Sequence, residues 1–137
     1  MDKNKSSLST VIVVDDNQDV LSLIVELLEI KNFKVIGTGR NGRDAVKLFQ
    51  ELAPDITLLD VAMPDTDGIY ALDQIRQISP NSAVIMTTAG LSQDAANQLE
   101  KLKATAVVYK PFDIDVLAKI IENIESTANS SQIKIFH

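Results

Sequence analysis

Apolar residues in this chain alternate between two periods. Short β-branched runs (Val11-Ile12-Val13-Val14, Ile56-Thr57-Leu58-Leu59, Ala83-Val84-Ile85-Met86-Thr87 and Ala106-Val107-Val108-Tyr109) are separated by segments whose apolar positions recur every three or four residues. An unbroken apolar run fits a strand covered on both faces, and the helical segments supply the covering layers. Val20, Leu21, Ile24, Leu27 and Leu28 predict a helix over Asn17 to Lys31. A second strand is predicted from Phe33 to Thr38, then a Gly-rich turn and a helix through Ala45, Val46, Leu48 and Phe49 that Pro54 stops. Met63 to Gly68 reads as a loop by its turn chemistry. A third helix follows through Ile69, Leu72, Ile75 and Ile78, closed by Ser79-Pro80. A fourth runs from about Ser92 to Lys103, and Asp113 is placed to N-cap a fifth through Val116, Leu117, Ile120, Ile121 and Ile124.

Five strand–helix units in succession predict an α/β fold: a (βα)5 three-layer sandwich on a parallel sheet with right-handed crossovers. The domain is read as residues 10–125, after a disordered lead of residues 1–9 and before a tail of residues 126–137. That tail is polar at first and ends Ile133-Lys134-Ile135-Phe136-His137, which suggests a frayed end or a short contact segment.

The formal net charge of -6, with no cluster of Lys or Arg to offset it, argues against direct binding to nucleic acid or an anionic membrane. The absence of cysteine excludes disulfides and thiolate metal sites. The polar start has no apolar signal core, and no apolar stretch reaches the roughly 18 residues of a membrane span. A soluble, cytoplasmic protein is expected.

The candidate chemistry sits at the strand ends. Asp15-Asp16, Asp60, Thr88 and Lys110 each close a separate apolar run. Parallel strands point one way, so their C-terminal ends converge on one edge of the sheet. In a doubly wound sheet of order 2-1-3-4-5, the first and third strands flank the switch point where ligands bind, and these carry the three aspartates. Like charges buried together are costly unless a cation joins them. Oxygen ligands without His or Cys favour a hard cation, Mg²⁺ ahead of Ca²⁺. Taken singly, each residue has a plainer reading: a helix N-cap for an aspartate, a snorkelling lysine for Lys110, an ordinary β-former for Thr88. The Lys110-Pro111 bond is a candidate cis peptide. Gly37-Thr38-Gly39-Arg40-Asn41-Gly42 fits the dinucleotide fingerprint G-x-G-x-x-G but follows the second strand, while the first turn carries two aspartates that repel a pyrophosphate. The glycines are therefore read as a loop.

Val13-Val14-Asp15-Asp16, Leu59-Asp60-Val61-Ala62-Met63-Pro64 with Asp67-Gly68, Thr88-Ala89 and Lys110-Pro111-Phe112 together resemble the receiver domain of two-component response regulators, over about residues 10 to 125. The resemblance implies a flavodoxin-like fold in which Asp60 accepts a phosphoryl group from a sensor histidine kinase or a histidine phosphotransfer protein. It implies Mg²⁺ held by Asp16, Asp60 and the backbone carbonyl of Ala62, with Asp15 acting through water. It also implies that Lys110 pairs with Asp60 and then with the phosphoryl group, that Thr88 hydrogen-bonds that group, and that a downstream protein docks on the face of the fourth helix, fifth strand and fifth helix. Such a protein is a signalling switch, not a turnover enzyme. Val107 departs from the family pattern, standing where receivers often carry an aromatic switch residue. Ala62 places no polar side chain beside the acceptor. Two other readings stay open: a receiver fragment of a longer regulator, and an aspartyl-phosphate phosphatase, which Asp60-Val61-Ala62 fits poorly because the second aspartate of Asp-x-Asp is missing.

Overall fold

Each apolar run becomes a strand, and burial on both sides sets the layer order. A computed structural model describes residues 9–63, 67–126 and 134–136. The elements run β1 (Thr10–Val14), α1 (Gln18–Ile30), β2 (Lys34–Gly39), α2 (Gly42–Leu52), β3 (Ile56–Asp60), α3 (Gly68–Ile78), β4 (Ala83–Thr88), α4 (Gln93–Lys101), β5 (Ala106–Tyr109), α5 (Ile114–Ser126) and β6 (Lys134–Phe136). The strands form one sheet in the order β2-β1-β3-β4-β5-β6, with every neighbouring pair parallel.

Alternation along the strands divides the core in two. Val11 and Val13 of β1, Leu58 of β3 and Ile85 of β4 pack with Leu21, Ile24 and Leu28 of α1 and Leu117 and Ile121 of α5. Ile12 and Val14, Leu59 and Met86 face the other way, onto Phe49 of α2, Leu72 and Ile75 of α3 and Leu99 of α4. This is the predicted three-layer sandwich. Helix starts follow side-chain caps: Asn41, Asp67 and Ser92 each accept from the N–H of the third residue of their helix, Asn17 accepts from those of the second and third, and Asp113 accepts from the Asp115 N–H at 2.7 Å. Two residues predicted on apolar helix faces are exposed instead, Ile78 at 45% and Val116 at 38%.

Three features differ from the sequence reading. Gly37 and Gly39 lie within β2, not in a turn. A Cβ on Gly37 would come within 3.0 Å of the Leu48 and Leu52 side chains, and one on Gly39 within 2.7 Å of the Asp44 Cβ. These glycines let α2 lie close on β2, so their spacing reflects helix–sheet packing rather than a phosphate-binding turn. Second, residues 134–136 add a sixth strand, parallel to β5. A three-residue alternation at a chain end is too short for its period to be told from a coil. Third, of the expected lead at residues 1–9 only Ser9 is described, and its carbonyl accepts from the Lys34 N–H at 2.9 Å; the rest of the lead lies outside the described residues, as do positions 64–66 of the predicted loop.

Candidate functional site

The C-terminal ends of β1, β3, β4 and β5 meet at one edge of the sheet. β1 stops at Val14, and the chain continues as Asp15, whose N–H donates to the Gly39 carbonyl at 3.1 Å. Asp60 is the last residue of β3 and lies opposite Thr87 of β4. One carboxylate oxygen from each of Asp15, Asp16 and Asp60 lies within 4.8 Å of the other two. Asp15 and Asp60 are buried, at 1% and 6% exposure, and Asp16 is half-buried. Lys110 follows β5, and its N–H donates to the Thr88 carbonyl at 2.8 Å, which brings its ammonium in from the β5 side.

That ammonium is closest to Asp15. Nζ donates to Asp15 Oδ2 at 2.6 Å and stands 3.5 Å from Asp60 Oδ2. The other Asp15 oxygen accepts from the Asn17 N–H at 2.9 Å. Lys110 therefore holds Asp15 first and Asp60 second, whereas the resemblance implies Asp60 as its partner. The Lys110–Pro111 peptide is cis. The Thr88 hydroxyl, buried at the end of β4, donates to the Gly90 carbonyl at 2.8 Å and accepts from the Gly90 N–H at 3.1 Å. It is thus engaged by the loop leading to α4. Val107 is fully buried against the α4 side of the sheet, and the half-buried Tyr109 packs into the same cluster, as strand alternation requires. Ala62, two residues past Asp60, is exposed.

Two further supports brace the site. The Arg40 guanidinium donates twice to the Asp16 carbonyl, from Nε at 3.1 Å and Nη2 at 2.7 Å, and from Nη1 to Gln18 Oε1 at 2.9 Å. It fixes the turn that carries Asp15 and Asp16. A single arginine in the next loop carries no motif, so nothing in the sequence flagged it. The other support is Gly68, whose N–H donates to the Val61 carbonyl at 2.9 Å and seats the start of α3 on the end of β3.

Among the described residues, one ammonium faces three carboxylates. The Asp60 carboxyl is pushed up to about 6, first by burial and then by the charges of Asp15 and Asp16, with Lys110 pulling the other way. An anionic, oxygen-only cluster short of positive charge suits a hard divalent cation. The same imbalance makes Lys110 critical. Lys110→Met leaves buried carboxylates without their counter-charge and is expected to cost about 3 kcal/mol at pH 7.5 in metal-free buffer. The loss should shrink below pH 6, where Asp60 takes up a proton, and again on adding Mg²⁺. Urea midpoints at two pH values check this, and a loss independent of both pH and metal would show that the lysine acts through packing alone.

Comparison with known proteins bears on the family and the fold. The family model for the response regulator receiver domain matches residues 11–122. The chain is 34% identical over 117 residues to chemotaxis protein CheY of Listeria monocytogenes, covering 85% of this chain and 96% of that protein. It is 29% identical over 133 residues to the regulatory protein AtoC of Escherichia coli, covering 96% of this chain but only 29% of that protein. Among solved structures, the CheX-CheY-BeF3-Mg²⁺ complex of Borrelia burgdorferi superposes with a TM-score of 0.79 at 25% identity, covering 85% of this chain and 89% of that one.

Proposed function

Because this chain belongs to the receiver domain family of two-component response regulators, we propose that it is a cytoplasmic phosphorylation switch whose acceptor is Asp60. The observation that carries this reading is the position of Asp60: a buried carboxylate at the end of β3, within reach of two further carboxylates and an ammonium. In the proposed step an Asp60 carboxylate oxygen forms a bond to phosphorus while the bond from phosphorus to the donor's imidazole nitrogen breaks. The imidazole leaves with its electron pair and takes a proton from solvent, and Asp60 becomes an acyl phosphate. A carboxylate nucleophile needs no general base, so positioning and charge neutralisation supply the rate.

Asp16, Asp60 and the Ala62 carbonyl would hold Mg²⁺, with Asp15 contributing through a water. The ion's chemistry there is to neutralise charge on the phosphoryl oxygens. Lys110 supplies the second positive charge, shifting from Asp15 towards the incoming group. Thr88 must give up Gly90 to donate to a phosphoryl oxygen, which would pull on the loop that starts α4. A change there would be read by a downstream protein on the α4, β5 and α5 face. Val107, already buried and aliphatic, cannot report the change by turning inward as an aromatic would. Among the described residues no helix is long and apolar enough to cross a membrane.

A second reading, the receiver portion of a longer regulator, is favoured by the match to AtoC, of which this chain spans less than a third. Both readings share the same acceptor chemistry. Incubation with a small acyl phosphate is expected to add one phosphoryl group per chain in the presence of Mg²⁺ and none after chelation. Uptake that ignores the metal would overturn the proposed site, and continued release of free phosphate at enzymatic rates would mark a phosphatase.

A further inference from the structure

Asp15 and Asp16 are held in different ways. The Asp15 carboxylate is bonded directly, by the Lys110 ammonium and the Asn17 N–H. Asp16 is held through its main chain, by a side chain from the loop between β2 and α2. The Arg40 guanidinium grips the Asp16 carbonyl from Nε and Nη2, and its Nη1 reaches Gln18 at the start of α1. Two N–H groups of one rigid fork on one oxygen fix the plane of the peptide that follows Asp16. Arg40 is itself anchored. Its own N–H donates to Asp44 Oδ2 at 2.9 Å, the Asp44 N–H donates to Asn41 Oδ1 at 2.8 Å, and the preceding Gly39 carbonyl accepts from the Asp15 N–H. The two loops are thus joined at consecutive residues, Gly39 on Asp15 and Arg40 on Asp16. By charge alone a guanidinium here repels any cation that the three aspartates would hold. Its fork is turned onto a backbone carbonyl, which is the placement of a brace.

We propose that Arg40 is a positioning residue that biases the acidic cluster towards Mg²⁺ relative to Ca²⁺. This role rests on the reading of Asp15, Asp16 and Asp60 as a cation site. Mg²⁺ takes near-octahedral oxygen ligands at about 2.0–2.1 Å, whereas Ca²⁺ accepts about 2.3–2.6 Å in a more variable shell. A ligand that drifts therefore costs the smaller ion more than the larger one. Asp16 is the ligand with the most freedom to drift, because it is half-buried while Asp15 and Asp60 are buried. Its carboxylate reaches the other two from the turn that Arg40 clamps. Outer supports of this kind contribute about 10–100-fold to metal affinity. A charge acting at a distance affects two divalent ions alike, but a brace does not, so the ratio of the two affinities separates the roles.

Arg40 is exposed, so replacing it opens no core, and urea midpoints in chelator should stay near the parent's. The full chain is titrated with magnesium chloride and with calcium chloride at neutral pH, followed by amide shifts in two-dimensional NMR. Arg40→Ala should weaken Mg²⁺ binding about tenfold and Ca²⁺ binding less than about threefold. Arg40→Lys keeps the charge without the fork and should lose the same discrimination. Gln18→Ala leaves both bonds to the Asp16 carbonyl and should match the parent. Equal weakening of the two cations in Arg40→Ala would overturn the proposal. So would tighter binding of both, the result of removing a repelling charge, or parental selectivity in Arg40→Lys. Those results would leave phosphorylation of Asp60 standing. A parent that binds neither cation would overturn the cation site and this role together.

Discussion

Asp60→Asn is expected to abolish phosphoryl uptake and, in the same protein, to make the metal-free fold more stable at neutral pH. The first effect follows from chemistry, because a neutral amide is a poor nucleophile and the adjacent Asp15 is held by Lys110 and the Asn17 N–H. The second follows from the cluster's charge. Asp60 titrates at about 6 when folded against 3.8 for the free side chain, chiefly because burial disfavours its charged form. Between those values the folded state holds a proton that the unfolded state has lost, so stability falls as pH rises through that window. Above pH 6 the whole cost is present, on the order of 2–3 kcal/mol. Asparagine removes the charge and with it most of that cost. The variant should therefore exceed the parent in urea midpoint at pH 7.5 by about 2 kcal/mol, with the gap closing near pH 4. Adding Mg²⁺ should narrow it from the other side by stabilising the parent more. Lys110→Met has the opposite sign at the same pH, because it removes the cation rather than an anion. A variant less stable than its parent at pH 7.5 would mean that Asp60 is well paired in the resting site.

Gly68→Ala is expected to be the most disruptive single substitution near the site. A Cβ at position 68 would lie 2.0 Å from the Asp60 carbonyl oxygen, 3.0 Å from its carbon and 3.1 Å from the Val61 Cα. All three are backbone atoms, so no side chain can turn aside. The start of α3 would have to lift from the end of β3, breaking the Gly68 to Val61 hydrogen bond and dislodging the residue that carries the acceptor. The expected cost is about 3 kcal/mol or more in urea denaturation. Phosphoryl uptake should fall with it even where the variant remains folded. Gly90→Ala is the control, since a Cβ there would meet nothing within 4 Å. Equal midpoints for the two variants would show that the close approach at Gly68 does not constrain the fold.

What could be read in the sequence, and what could not, follows from the reach of each signal. The strand runs, the helix period and the convergence of Asp15, Asp16, Asp60 and Lys110, with Thr88 closing β4 at the same sheet edge, were legible because parallel strands carry their ends to one edge whatever the details of packing. The partners chosen within the cluster were not. That Lys110 sits nearer Asp15 than Asp60, and that Thr88 bonds Gly90, depends on side-chain geometry finer than strand register. Arg40 acts on a backbone carbonyl across the turn, and a carbonyl has no sequence signature. Gly37 and Gly39 misled because glycine serves a tight turn and a close helix contact equally well. β6 escaped because three residues are fewer than two periods of a strand.

The central claim is that one carboxylate of the three is the acceptor. Borohydride reduction of an aspartyl phosphate leaves homoserine in its place, so peptide mass spectrometry after phosphorylation in Mg²⁺ identifies the residue. Homoserine should appear at position 60 alone and vanish when the metal is chelated. Homoserine at position 15 or 16, or a phosphoryl group found instead on His137, the chain's single histidine, would contradict it.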